Sequence, residues 1–409
     1  MLCQFTFRNY RSFRDETEFS MQATKMREFG DSLIPGGDSQ SFLPVAVVYG
    51  PNAGGKSNFA EALQYVCSAV AVPIARLLYG DDSRPKKARM AKCSPFAFDG
   101  TSASEPSWFE LYFRTRGYEY RYELEVSGAD ILREALDRRK VGGSRTAKLF
   151  SREGGEVELG SSLRRAGVAT AFNPAIPYLS FLKMNTDLES VCDAADWFVD
   201  TVFLNYNSAY MELMLEELIS EADPGPISRL LRSVGIRIEG YRVEPSADGD
   251  DRQRVYVRHE VGGSAYELRL GEESAGTQKM IGLAAFLLRA FELGSLVVVD
   301  ELDAKLHPKL LRFVTQLFRS KEINPRGAQL VFTSQDVSTM RNDVFRRDEI
   351  WFAAKDEGEA SLMWSLADIH EANGNLVSKN AAFDKQYLAG RYGADPYLER
   401  MEEWVMAGE

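Results

Sequence analysis

The chain has 409 residues, a formal net charge of −11, and 44% hydrophobic and 27% charged residues. Such a composition supports a large core and excludes a disordered or fibrous chain. The acidic balance gives no global attraction to nucleic acid, so any DNA contact rests on local basic patches. No apolar run reaches the ~18 residues of a membrane span. The opening MLCQFTFRNYRSF alternates like a strand and lacks the charged start and apolar core of a secretory signal. Cys3, Cys67, Cys93 and Cys192 form no C-x-x-C pair, which argues against a disulfide frame or zinc site and fits a reducing cytoplasm. His259, His307 and His370 are too dispersed for a metal cluster.

Residues 2–8 alternate and predict an opening strand, with an antiparallel partner within Phe13–Met21. Residues 22–44 are rich in glycine and proline and read as loop. A β-branched run, Val45–Val48, predicts a buried strand, followed by a glycine-rich turn and a helix to Ala75. Residues 80–107 are polar and carry the basic run Arg84, Lys86, Lys87, Arg89 and Lys92. Trp108–Arg114 and Tyr118–Val126 read as a hairpin turning at Gly117, continued by Ile131–Val141 and by short strands in Lys148–Leu159.

The pattern then turns helical, with candidate helices at Tyr178–Lys183, Leu188–Tyr206, Tyr210–Ala222 and Ile227–Val234. Strand patterns return at Ile236–Val243, Arg254–His259 and Ala265–Leu270. The last third alternates: helix Gly276–Leu293, strand Leu296–Val299, helix Pro308–Arg319, then strands Gln329–Thr333, Ile350–Ala354 and Leu362–Ser365. Buried strands alternating with helices predict a parallel sheet covered on both faces. The expected organisation is an α/β protein in three parts: an N-terminal lobe (1–160), an α-helical insertion (161–240) and a C-terminal lobe (241–409).

VAVVYGPNAGGKSNFAEAL contains G-x-x-x-x-G-K-S between a strand and a helix, the context a phosphate-binding loop requires. Glycine lets backbone N–H groups curl around phosphate oxygens, and the helix that follows aims its positive end at them. The candidate nucleotide-binding residues are Asn52, Ala53, Gly54, Gly55, Lys56, Ser57 and Asn58. In such loops the lysine reaches the β- and γ-phosphates and the serine hydroxyl sits on Mg²⁺. This assigns those parts to Lys56 and Ser57 and makes a nucleotide with Mg²⁺ the expected ligand.

The strand LVVV ends in Asp300 and Glu301. Ligands gather at the carboxyl ends of such strands. Asp300 is the candidate Mg²⁺ ligand and Glu301 the candidate general base. Upstream, Ser274 and Gly276 open a helix and form a second candidate anion-binding N-terminus. One chain needs a single phosphate cradle, so this second one fits a partner's nucleotide.

GPNAGGKS, ESAGTQKM, LVVVDE and DELDAKLHPKL together resemble the Walker A, signature, Walker B and D-loop motifs of the ATP-binding-cassette ATPases of the SMC, RecF and OLD group. FRNYRSF is similar to that group's first strand. The resemblance implies an ABC-type P-loop ATPase head with a mixed sheet, an antiparallel β subdomain and an α-helical insertion. It implies two heads face to face, with ATP between Walker A of one and the signature of the other. Asp303 then takes the D-loop position and His307 the LHP step, and Arg11 and Ser12 become candidate contacts to the nucleotide.

The tail, VFRRDEIWFAAKDEGEASLMWSLADI and FDKQYLAGRYGADPYL, resembles the abortive-infection ATPases of the AbiLi and RloA type and, more distantly, the PARIS-system ATPase. That resemblance implies bacterial anti-phage defence, a homodimer or higher homo-oligomer, and a separately encoded, nuclease-like effector. Two departures point to slow turnover. The group's histidine after the next strand is Gln335, which donates a hydrogen bond but carries no charge. No glutamine lies between Gln64 and Gln253, where the Q-loop residue is expected.

Two other readings compete. An OLD-type nuclease carries an acidic Toprim domain after the ATPase, whereas the residues past Gln335 read as closing strands. The acids Glu212, Glu216, Glu217, Glu221 and Asp223 read better as a solvated helix face. A RecF-like DNA-binding ATPase would draw on the basic clusters Arg84–Lys92, Arg138–Lys148 and Arg346–Arg347, and its affinity would fall steeply with salt. No membrane partner is expected.

Overall fold

The alternating N-terminus forms β1 (Leu2–Arg8), paired antiparallel with β2 (Thr17–Ser20). Two short strands, β3 (Ile34–Pro35) and β4 (Ser41–Phe42), lead to β5 (Val45–Tyr49), in which every residue is buried. Helix α1 (Lys56–Tyr79) starts inside the phosphate-loop motif and runs past the expected end at Ala75. A meander follows: β6 (Ser107–Thr115), β7 (Tyr118–Ser127), β8 (Asp130–Lys140), β9 (Thr146–Glu153) and β10 (Glu156–Leu159). β1 pairs with β6, and the result is a seven-stranded antiparallel sheet in the order β10-β9-β8-β7-β6-β1-β2.

The computed structural model describes residues 1–79, 92–205, 219, 222–245, 253–304, 306–371 and 374–394. The basic residues Arg84, Lys86, Lys87 and Arg89 lie outside the described residues, as do Glu212, Glu216, Glu217 and Glu221 and most of the expected helix Tyr210–Ala222.

The middle of the chain is not purely helical. After α2 (Ser161–Ala166) and α3 (Tyr178–Asn185), the stretch expected as one helix over Leu188–Tyr206 divides into α4 (Glu189–Asp200) and strand β11 (Val202–Asn205). A β-branched and aromatic start, Val202-Phe203, suits an extended backbone better than a continuing helix. After α5 (Pro224–Ser233), a three-stranded antiparallel sheet is built from β12 (Gly240–Pro245), β13 (Gln253–Val261) and β14 (Ser264–Arg269).

Helix α6 (Ala275–Leu293), β15 (Leu296–Asp300), α7 (Pro308–Arg319), β16 (Gln329–Thr333), β17 (Ile350–Lys355), β18 (Ser361–Ser365) and α8 (Phe383–Leu388) follow among the described residues. The central sheet runs β11-β15-β16-β5-β17-β18. Its first five strands are parallel, as the alternation predicts, while β18 returns antiparallel to β17. The sheet is therefore mixed: Lys355 to Ser361 is a short reversal, too short for the crossover a parallel return would need.

Burial on both faces explains the unbroken apolar runs in these strands. Ala46, Val48, Leu296, Val298, Val331 and Ala353 face one core, which also takes in α1, α3, α4 and the antiparallel sheet. Val45, Val47, Val297, Val299, Leu330 and Phe332 face a second core formed with α6 and α7. Gln329, fully buried, ties the sheets together at their edge. Its Nε2 donates to the carbonyls of Leu2 (3.2 Å) and Leu43 (3.0 Å), and its Oε1 accepts from Leu2 N (2.6 Å). Among the described residues, no helix is long and apolar enough to cross a membrane.

Candidate active site

The loop between β5 and α1 is shaped by steric necessity. A Cβ at Gly50 would meet the Ala353 carbonyl oxygen at 2.0 Å, one at Gly54 the same oxygen at 2.6 Å, and one at Gly55 the Ser361 hydroxyl at 2.4 Å. Gly50 and Gly55 also have φ of 153° and 111°, and Ala53 adopts the left-handed region at 60°. The backbone is thus pressed against β17 and β18, leaving its outer side open at Asn52 and Ala53, both exposed.

Lys56 is buried, and its Nζ donates to the carbonyls of Gly50 and Pro51 at 2.9 Å each. Burial pulls its ammonium below the ordinary lysine value, against the pull of Glu301, Asp300 and Asp303. A polyanion placed in the loop would satisfy this cation.

Ser57 Oγ lies 3.2 Å from Asp300 Oδ1. Two oxygens of different chemistry, one carboxylate and one hydroxyl, thus meet at the first turn of α1 and suit Mg²⁺, which takes few protein ligands beside phosphate and water. Register carries this arrangement, because β15 and β5 flank β16 in the parallel sheet and all three end at the same edge.

Beyond Asp300 the chain turns sharply, and Glu301 adopts φ 53°. Glu301 Oε1 accepts from Gln335 Nε2 at 3.1 Å. Asp303 Oδ2 accepts from the backbone N–H of both Gln335 and Asp336, each at 3.1 Å. The structure therefore brings Lys56, Ser57, Asp300, Glu301, Asp303 and Gln335 together.

Of the other expected residues, Ser274, Gly276 and His307 open two later helices, while Arg11 and Ser12 flank the phosphate loop. Ser274 is the N-cap of α6, where its hydroxyl accepts from Thr277 N at 3.1 Å, and Gly276 is in the first turn. His307 caps α7, with Nδ1 accepting from Lys309 N at 3.2 Å. Arg11 and Ser12 lie in the turn after β1. Ser12 Oγ accepts from Asn58 Nδ2 at 2.7 Å, and Arg11, with φ 51°, pairs with Glu61.

Several residues of the basic clusters pair with acids. Arg346 is buried and paired with Asp348 at 2.8 Å, so it presents no surface to DNA, and Arg347, half-buried, is paired with Glu28 at 2.7 Å. Arg139 pairs with Glu119, and Lys148 with Glu158 at 2.7 Å.

Two features escaped the sequence reading. Thr333, which ends β16, donates to Asp300 Oδ1 at 2.6 Å and accepts from Glu301 N at 2.8 Å. The preceding apolar run made it look like an ordinary strand exit. Asn205 ends β11 opposite Asp300 in the parallel register, and the two share a small recess with Glu61 and Gln64. An amide therefore does stand beside the acidic strand end, though it is not the expected glutamine. Only placing β11 in the central sheet reveals it.

A glycine loop between strand and helix, with a carboxylate and a threonine from the next two strands of the same sheet edge, makes this a P-loop nucleotide-binding domain. Residues 45–341 match the family described as "AAA domain, putative AbiEii toxin, Type IV TA system", and the chain belongs to that family. No curated protein matches it. Among solved structures it is similar to the SMC head domain from Thermotoga maritima (15% identity, 89% of this chain and 98% of that chain, TM-score 0.41). It is also similar to an Smc head bound to the C-terminal winged-helix domain of ScpA (13%, 89% and 97%, 0.40). An Smc head with coiled coil and joint from Pyrococcus yayanosii is a third (10%, 91% and 98%, 0.43).

Proposed function

We propose that the chain is an ATP-binding and slowly hydrolysing switch in a bacterial anti-phage system of the abortive-infection type. In this reading it works as a head-to-head homodimer that controls a separately encoded, nuclease-like effector. The observation that carries the ATPase part is the meeting of Ser57 Oγ and Asp300 Oδ1 at 3.2 Å beside the buried Lys56. The family description and the tail motifs support the defence part.

The chain's own groups divide the work. The glycine loop and Lys56 hold the phosphates; Ser57 and Asp300 would hold Mg²⁺, which neutralises phosphate charge when bound. Glu301 is placed to take a proton from the attacking water, and Gln335 orients the Glu301 carboxylate through the 3.1 Å hydrogen bond. A neutral amide at that point stabilises developing phosphate charge less than an imidazolium would, which supports slow turnover. Ser274 is exposed at the N-terminus of α6, where it is open to the nucleotide of a second copy.

Light scattering of the purified chain with and without ATP and Mg²⁺, alongside phosphate release, tests this. A nucleotide-dependent shift from monomer to dimer with slow turnover is expected. A mass unchanged by ATP would overturn the head-to-head dimer, and metal-dependent DNA cleavage by the chain alone would favour a nuclease.

A further inference from the structure

Lys279 belongs to the helix that Ser274 caps, yet its ammonium is spent on a different element. Its Nζ, on a side chain only 4% exposed, donates to three backbone carbonyls of the turn after β15: Glu301 at 3.1 Å, Leu302 at 3.0 Å and Ala304 at 2.6 Å. Three carbonyl dipoles aimed at one point repel one another unless a cation lies there. Their convergence also depends on the left-handed backbone of Glu301, φ 53°, which a non-glycine residue adopts only when its surroundings hold it. Within the turn, Ala304 N bonds the Glu301 carbonyl at 3.1 Å and Leu306 N the Asp303 carbonyl at 3.0 Å.

We propose that Lys279 is the positioning residue that couples the N-terminus of α6 to the Glu301 carboxylate within one chain. It holds the turn in the conformation that presents Glu301 to Gln335. Ser274 caps the helix that carries Lys279, so a displacement at Ser274 is carried to Lys279 and from there to the backbone of Glu301. An anion seated at Ser274 would thereby set the geometry of the site next to Lys56 in the same chain. This deepens the ATPase reading and rests on it.

The test uses the full chain and three variants: Lys279→Met, which keeps the aliphatic stem, Lys279→Arg, and Lys279→Met combined with Glu301→Gln. A fluorescent ATP analogue gives affinity, phosphate release gives turnover, and hydrogen exchange of peptides covering 301–306 reads the turn. Lys279→Met should bind nucleotide within about threefold of wild type while turnover falls at least ~10-fold, and Lys279→Arg should recover most of it. The double variant should be no slower than Glu301→Gln alone, because both changes act through one group. ATP should alter exchange at 301–306 in wild type and leave it unaltered in Lys279→Met. Equal loss of affinity, turnover and melting temperature would mean a merely structural lysine and overturn the proposal, as would unchanged turnover. If wild type releases no phosphate, the hydrolysis reading fails on its own, and the ATP dependence of exchange decides the coupling.

Discussion

The Thr333 hydroxyl stands between Asp300 and Glu301, donating to the carboxylate of the first at 2.6 Å and accepting from the backbone N–H of the second at 2.8 Å. One oxygen on β16 thus orients both acidic residues at the end of β15. Thr333→Val keeps the shape and removes both bonds. It should cost about 1 kcal/mol of stability from the lost bond to the half-buried Glu301 N–H and lower phosphate release more than nucleotide affinity. Thr333→Ser should restore most of the turnover. Thermal melts and a separate titration of nucleotide affinity check it.

Lys56→Ala should leave the fold intact and abolish the rise in melting temperature that ATP produces in wild type. Glu301→Gln keeps an oxygen to accept from Gln335 and removes the base. It should bind ATP normally, accumulate the nucleotide-bound form and release phosphate at least ~100-fold more slowly. Normal ATP binding by Lys56→Ala would sink the assignment of the loop.

Gln335→His introduces a group that charges near neutrality. Its turnover relative to wild type should climb as pH falls from about 7.5 to about 6, as the imidazole gains a proton beside Glu301. Phosphate release across that range, with both proteins saturated in ATP, reads the effect. A ratio independent of pH would place residue 335 away from the reacting phosphate.

Much of this was legible before the structure, and the reason is periodicity. Val45–Tyr49, Leu296–Asp300 and Gln329–Thr333 are buried on both faces, so their uninterrupted apolar runs announce central strands. Lys56, Ser57, Asp300 and Glu301 follow because the motif fixes their place relative to those strands. β11 was not legible: its few residues directly follow a helix, and only long-range pairing with β15 defines it. Arg346 and Arg347 misled for a related reason. A pair of arginines reads as surface charge, and their acidic partners, Asp348 within the motif and Glu28 far away in sequence, become apparent only in the fold.

Arg152 and Glu134 form a fully buried ion pair at 3.3 Å. Glu134 also accepts from Tyr178 N at 2.6 Å and Leu179 N at 3.0 Å, capping α3. Arg152→Met leaves that carboxylate without its cation. A loss of about 3–5 kcal/mol is expected, read by denaturant unfolding. Glu134→Gln combined with Arg152→Met should recover part of it, since no buried charge is then stranded.

Burial pushes the Glu349 carboxyl up to about 7, against the Arg319 guanidinium, from an ordinary value of 4.5. The folded chain therefore retains a proton that the unfolded chain releases between those values. Stability from this group declines as pH rises from 4.5 to about 7 and is level above. Glu349→Gln removes the titration. The melting temperature of the variant minus that of wild type should thus increase from pH 5 to pH 7 and then flatten.

The Ala353 carbonyl lies where a Cβ at Gly50 or Gly54 would have to go. This surface belongs to the backbone of β17, so no substitution at position 353 can delete it. The two sides of the contact therefore differ in how they can vary. Any side chain at 50 or 54 collides, while the wall it meets persists through every change of sequence on its own strand. The curvature of the loop is inherited from the sheet, and side chains can be enlarged without meeting that wall at its open side, at the exposed Asn52 and Ala53.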